Sequence, residues 1–147
     1  WVTDQMLTSG AGGYGLAVSS TPVTSVYRVP CGGGGGGDIT AGNVANDGGG
    51  GGELRSRANS PLPGVGGVVD AALPTDGGDD AFYALAIWSC AAGGGGGAAS
   101  ITANPQMGAA GGTPGGGGGG GGAALNGHFS EQGGAGGNGR VEVVFLF

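Results

Sequence analysis

Residues 115–122 read GGGGGGGG, entered through Thr113-Pro114 and left through Ala123-Ala124. Three shorter runs, 32–37, 48–52 and 93–97, repeat the motif, and the 147-residue chain holds 43 glycines. Collagen requires glycine at every third position with abundant proline. Here the glycines are contiguous and the prolines number seven, so collagen is excluded. Ordering a residue costs about 1–2 kcal/mol of backbone entropy, and glycine loses the most freedom of all. With no side chains to bury, the compensation has to come from the peptide groups. The conformation suited to this is the left-handed polyproline-II type helix, with three residues per turn, about 3.1 Å rise and no internal hydrogen bonds. Its N–H and C=O groups all point outward, toward helices packed alongside. A lone run would not fold, whereas a lattice of runs would, each hydrogen bond contributing about 0.5–1.5 kcal/mol net. At that rise, residues 115–122 span about 25 Å.

Composition narrows the function classes. Ten acids face four bases, giving a net charge of −6, and the bases are all arginines: Arg28, Arg55, Arg57 and Arg140. Without lysine there is neither a Walker phosphate loop nor a Schiff base, and no basic stripe suits nucleic acid. The negative balance disfavours polyanions and anionic membranes. The longest apolar stretch, 81–88, is far shorter than the ~20 residues that span a bilayer. A small domain that is not an enzyme and carries no cofactor is the expectation, with no nucleic-acid partner and no membrane insertion. Starting at Trp1 rather than Met, the sequence reads as a fragment or processed product.

Outward from the glycine runs, alternation marks short strands. Residues 21–30 alternate with Val23, Ser25, Tyr27 and Val29 on one face, and 53–58 alternate Glu53, Arg55 and Arg57 against Leu54, Ser56 and Ala58. Residues 68–73, 81–90 and the terminal 140–147 read as further strands. A strand, a cysteine and a glycine run follow one another twice, around Cys31 and around Cys90. The expected fold class is mostly β or irregular: a polyglycine-II helix bundle packed with short β-strands and little or no α-helix. Residues 1–20 form a connecting segment and 21–147 the glycine-rich domain. The inserts 38–47, 61–80, 98–114 and 123–132 are expected as loops at the rod ends.

Val23-Thr24-Ser25-Val26 leading to a glycine run, 48–53 (GGGGGE) entering a strand, 91–97 (AAGGGGG) and 133–145 (GGAGGNGRVEVVF) together resemble the glycine-rich domain of bacteriophage tail fibres. The resemblance covers roughly 21–147, and its closing pattern, Gly-Gly-Ala-Gly-Gly-x-Gly before alternating aliphatics, is the most specific part. It implies polyglycine-II helices in a hydrogen-bonded sandwich with variable loops at the far end touching the host surface. On that implication the protein is a virion structural component, an extracellular appendage presenting loops to a host receptor (protein or glycan), oligomeric with other virion or fibre subunits. Asn104, Gln106 and Met107 in one insert and Asn126, His128 and Phe129 in another are the expected receptor-contact residues. Gly118 is the expected structural glycine inside the rods. The alternative is a self-assembling extracellular filament or cell-surface protein, polymerising through the 140–147 strand and exposed glycine edges.

Other motifs weigh less. Residues 10–15 fit G-x-G-x-x-G without a preceding strand or a following helix, and 133–141 approaches the calcium β-roll nonapeptide without a tandem copy. His128, the single histidine, has neither nucleophile nor enough ligands around it for catalysis or metal binding. Asp76, Asp79 and Asp80 read as solvated turn acids or, with backbone carbonyls, a Ca²⁺ loop. Cys31 and Cys90 read either as a disulfide across the base or as free buried thiols. Phe82, Tyr83, Trp88, Phe129, Phe145 and Phe147 read as core or intersubunit contacts, or as a platform for stacking sugars.

Overall fold

The computed structural model of the chain describes residues 23–25, 32–54, 61–79, 91–141 and 143. Among them there is no α-helix. Strand structure is limited to β1 (Val23–Ser25) and β2 (Gly52–Leu54), paired in parallel with Val23 opposite Gly52 and Ser25 opposite Leu54. What organises the rest is a set of extended rods whose peptide groups bond sideways to other rods: rod 1 (32–37), rod 2 (46–52), rod 3 (61–67), rod 4 (74–78), rod 5 (91–99), rod 6 (106–112), rod 7 (115–123) and rod 8 (131–138).

Rod 5 shows the rule. Gly93, Gly96 and Ala99 donate to the carbonyls of Gly52, Gly49 and Asn46 in rod 2, at 3.0, 2.8 and 3.0 Å. Gly94 and Gly97 donate to Gly117 and Gly120 in rod 7, both at 2.9 Å, and Ala92 and Gly95 to Gly78 and Thr75 in rod 4, at 3.1 and 3.0 Å. Successive residues thus address different neighbours and every third returns to the same one. The carbonyls of rod 5 accept in the same rhythm: from Gly34 and Gly37 of rod 1, from Gly64 and Gly67 of rod 3, and from Ala109 and Gly112 of rod 6. Rods 2, 4 and 7 therefore take its N–H groups while rods 1, 3 and 6 supply its carbonyl partners.

Those surrounding rods close a ring around rod 5. Gly49 donates to Gly35, Gly48 to Gly67, Thr75 to Val65, Gly77 to Ala110, Gly119 to Ala109 and Gly120 to Gly34, linking rods 1–2, 2–3, 3–4, 4–6, 6–7 and 7–1. Rod 8 lies outside the ring against rods 6 and 7, through Gly108 to Gln132 (3.0 Å) and Gly134 to Gly119 (2.7 Å). Bond order along each pair gives direction: odd-numbered rods run one way, even-numbered rods the other.

Residues 91–100 are buried without exception, yet the buried apolar side chains among the described residues are small: Ala91, Ala92, Ala98, Ala99 and Ala109, with Pro61, Pro105 and Pro114. The core is made of backbone. This suits a water-excluded centre only because the peptide groups there are paired. Glycine is what permits the spacing: a Cβ on Gly33, Gly36 or Gly96 would overlap the carbonyl oxygen of Gly118, Gly121 or Gly35 respectively. Within the rods, Gly115 alone takes a positive φ, at the sharp entry to rod 7 after the cis Thr113–Pro114 bond.

Several sequence expectations are corrected. Residues 68–73 form a turn rather than a strand, closed by Val68 donating to Ala72 (2.8 Å) and Ala71 to Val68 (3.1 Å) with Asp70 at φ 54. The inserts 61–80 and 98–114 are not loops throughout, since they contain rods 3, 4 and 6. The larger side chains of rod 3, Leu62 and Val65, are exposed, while Gly64 and Gly67 are buried. Of the terminal strand expected over 140–147, Arg140, Val141 and Val143 are described and none is in a strand. The connecting segment 1–20 and the strand expected over 81–90 lie outside the described residues, as do Cys31, Cys90, Phe82, Tyr83, Trp88, Phe145 and Phe147.

Candidate binding surface

Because the rods alternate in direction, the connections 38–45, 68–73, 100–105 and 124–130 all emerge at one end of the bundle. Each is a turn with its own local chemistry. In 38–45, Thr40 donates to Val44 (3.0 Å), its hydroxyl accepts the Val44 N–H (3.1 Å), and Asn43 sits at φ 57. In 100–105 the buried Ser100 hydroxyl accepts the N–H groups of Thr102 and Ala103 at 3.4 and 3.1 Å, the local side-chain turn that serine favours. In 124–130, Asn126 and Gly127 occupy consecutive positive-φ positions (55 and 84), the Asn-Gly preference of a tight reversal. Asn and Asp hold the left-handed conformation in three of these turns (Asn43, Asp70, Asn126), as expected of short polar side chains.

The turns are also tied to one another. The Asn126 amide donates to the Ile101 carbonyl (2.9 Å), and Leu125 N–H to Ser100 (3.3 Å). Asp47, at the start of rod 2 just after the 38–45 connection, accepts from Val69 N–H (2.8 Å) and so holds the 68–73 turn. Gln106 binds three ways: its Nε2 donates to Val68 (3.0 Å) and Ala72 (3.2 Å), and its Oε1 accepts from Ala98 N–H (3.3 Å). A shallow cavity of about 140 Å³ between the 68–73 turn and the 100–105 loop is lined by Asp70, Ser100, Asn104 and Gln106 among others.

Of the expected contact residues, Asn104, Asn126, His128 and Phe129 all lie on this end and are exposed, Phe129 to 83%. Gln106 and Met107 begin rod 6. The Gln106 amide is occupied in holding the 68–73 turn, whereas Met107 is exposed at the rim. Sequence reading missed Val44 and Leu73, exposed on neighbouring connections; a three-residue period of small residues through 64–67 and 75–78 would have placed those turns. Gly118 belongs to rod 7, where a Cβ would overlap the Gly134 carbonyl of rod 8. The carboxylates of Asp76 and Asp79 accept the N–H groups of Ala110 (2.8 Å) on rod 6 and of Thr113 (2.6 Å) just after it, while Asp80 lies outside the described residues. Among the described residues no three His, Cys, Asp or Glu side chains gather into a metal-binding group, and no helix is long and apolar enough to cross a membrane.

No family model matches the chain, and no curated protein or solved structure is similar enough to report.

Proposed function

We propose that the chain is a polyglycine-II bundle serving as a stiff mount for a binding end, in the manner of the glycine-rich domain of a bacteriophage tail fibre, and that the mounted loops attach to a host cell surface. The observation that carries this reading is the gathering of four connections at one end, cross-tied by Asn126, Asp47 and Gln106. Three-residue periodicity and the absence of positive φ along the glycine runs beyond Gly115 support the polyglycine-II assignment. Loops fixed before contact lose less entropy on binding than free ones, which is how a rigid scaffold raises affinity without chemistry. Phe129 offers an exposed ring for a sugar or an apolar receptor side chain, flanked by the hydrogen-bonding groups of His128 and Asn126. On this reading the protein acts outside the cell as part of a virion, and its partner is a surface glycan or protein.

The test is adsorption of the labelled chain to a panel of bacterial cells, with Phe129→Asp compared against Leu62→Asp on the flank of rod 3. Binding to particular strains, weakened by about tenfold or more (about 1.4 kcal/mol) in Phe129→Asp alone, is expected. Equal binding by both variants, or no adsorption to any cell, removes the proposal.

A further inference from the structure

Rod 8 lies outside the ring and, like rod 1, where among the described residues Gly33 and Gly36 engage neither N–H nor C=O, leaves a side without a neighbouring rod. Glu131, Gly134 and Gly137 donate to Gly122, Gly119 and Gly116 of rod 7, while the carbonyls of Gln132 and Ala135 accept from Gly108 and Gly111 of rod 6. That uses only part of its bonding capacity. Among the described residues, Gly133 and Gly136 engage neither N–H nor C=O, the N–H groups of Gln132 and Ala135 have no acceptor, and the carbonyls of Gly134 and Gly137 no donor. The free side thus offers donors and acceptors with the same three-residue spacing that binds the interior rods.

On rods 3 and 6 side chains close such rows. Thr75 covers the N–H of Val65 on rod 3, and Asp76 and Asp79 cover those of Ala110 on rod 6 and of Thr113 just after it. Blocking exposed edges in this way is how sheet proteins avoid joining edge to edge. Rod 8 has no such cover. Unlike rod 1, where a Cβ on Gly33 or Gly36 would overlap a carbonyl of rod 7, it has glycine that packing does not need: a Cβ on Gly136 meets only the Gly116 carbonyl at an ordinary 3.6 Å, and one on Gly139, the residue after the rod, meets nothing within 4 Å. Interior glycines such as Gly119 and Gly121 leave no such room. A second, independent observation lies just beyond. Val141 and Val143, which follow rod 8, are 90% and 71% exposed, apolar surface of the kind that contacts cover.

We propose that the free side of rod 8, with Val141 and Val143, is an interface between two copies of this chain, the two rods lying antiparallel about a two-fold axis. A second copy is the occupant because the row carries both donors and acceptors. It is therefore self-complementary, as a two-fold contact demands. The contact continues the lattice by the bonding already used between rods 7 and 8. This pairing does not depend on the binding end and stands or falls separately from it.

Sedimentation velocity of the full chain across a wide concentration range tests the proposal, alongside a Gly136→Val, Gly139→Val double variant. A Cβ at 136 meets backbone only at an ordinary contact distance and one at 139 meets none, so the variant is expected to melt like the parent. The parent is expected as a reversible dimer, and the variant as a dimer at least about tenfold weaker. A parent that stays monomeric, a parent that grows open-ended polymers, or a variant that pairs as tightly as the parent each overturns the proposal. Should the variant fold poorly, amide exchange at Gly133 and Gly136 in the parent decides: protection that rises with concentration is expected, and concentration-independent exchange overturns it.

Discussion

At the scale of single residues, glycine is required at some positions and optional at others, and backbone spacing separates the two. Gly118 was legible from sequence as the middle of the longest run, and the structure places the Gly134 carbonyl where its Cβ would go. Gly118→Val is expected to destabilise the fold by at least about 2 kcal/mol, as overpacking does in tight cores, visible as a lowered thermal midpoint. Gly139→Ala is expected to do the reverse: with nothing within 4 Å of the new methyl, the reduced freedom of the unfolded chain stabilises by about 0.4–1 kcal/mol. Equal melting of the two variants would contradict the packing described here. The role of Gln106 was not legible, because a polar residue in an apparent insert signals a surface contact. Its Oε1 accepts from the N–H of Ala98, whose residue is 1% exposed. Gln106→Ala leaves that buried donor unpaired, an expected loss of about 1–3 kcal/mol, with faster amide exchange at Ala98 as its local signature.

At the scale of elements, the contiguous runs were easy to see and the mixed rods were not. Rods 1, 5 and 7 are built around uninterrupted glycine, which points directly to peptide–peptide packing. Rods 3, 4 and 6 carry Leu62, Val65, Asp76 and Met107 on their outward rows, so their composition resembles that of loops. An outer rod has a side without a neighbouring rod, and side chains such as Leu62 and Val65 are accommodated there. Strand reading failed over 68–73 for a related reason: a short apolar segment serves a turn as readily as a strand, and Asp70 in the left-handed region made it one. β1 and β2 were anticipated in part, within 21–30 and 53–58, although β2 begins at Gly52. The Asp76 and Asp79 carboxylates each stand in for a missing rod's carbonyl at the edge of the lattice, a use that their clustering in the sequence does not reveal.

At the scale of the whole molecule, rod 5 depends on every rod that encircles it, so it opens only when the bundle does. Amide exchange is expected to be slowest over 93–97, approaching the global unfolding free energy, and fastest at Gly127, whose turn is exposed. Uniform exchange across both regions would show that rod 5 opens independently. The end bearing the four connections was partly legible, since 38–47 and 123–132 were expected as loops. That all four share one end follows from rod direction, which no local pattern in the sequence encodes.

Directional alternation also has a mechanical consequence. An even number of rods leaves residues 32 and 138 together at the end opposite the connections. A pull between those two residues peels rods 1 and 8 away one bond at a time, the weak geometry. A pull from the connections toward residues 32 and 138 runs along the rod axes and loads the lateral bonds in shear, many at once. The bundle is therefore strongest along the line joining a surface gripped at one end to an anchor held at the other.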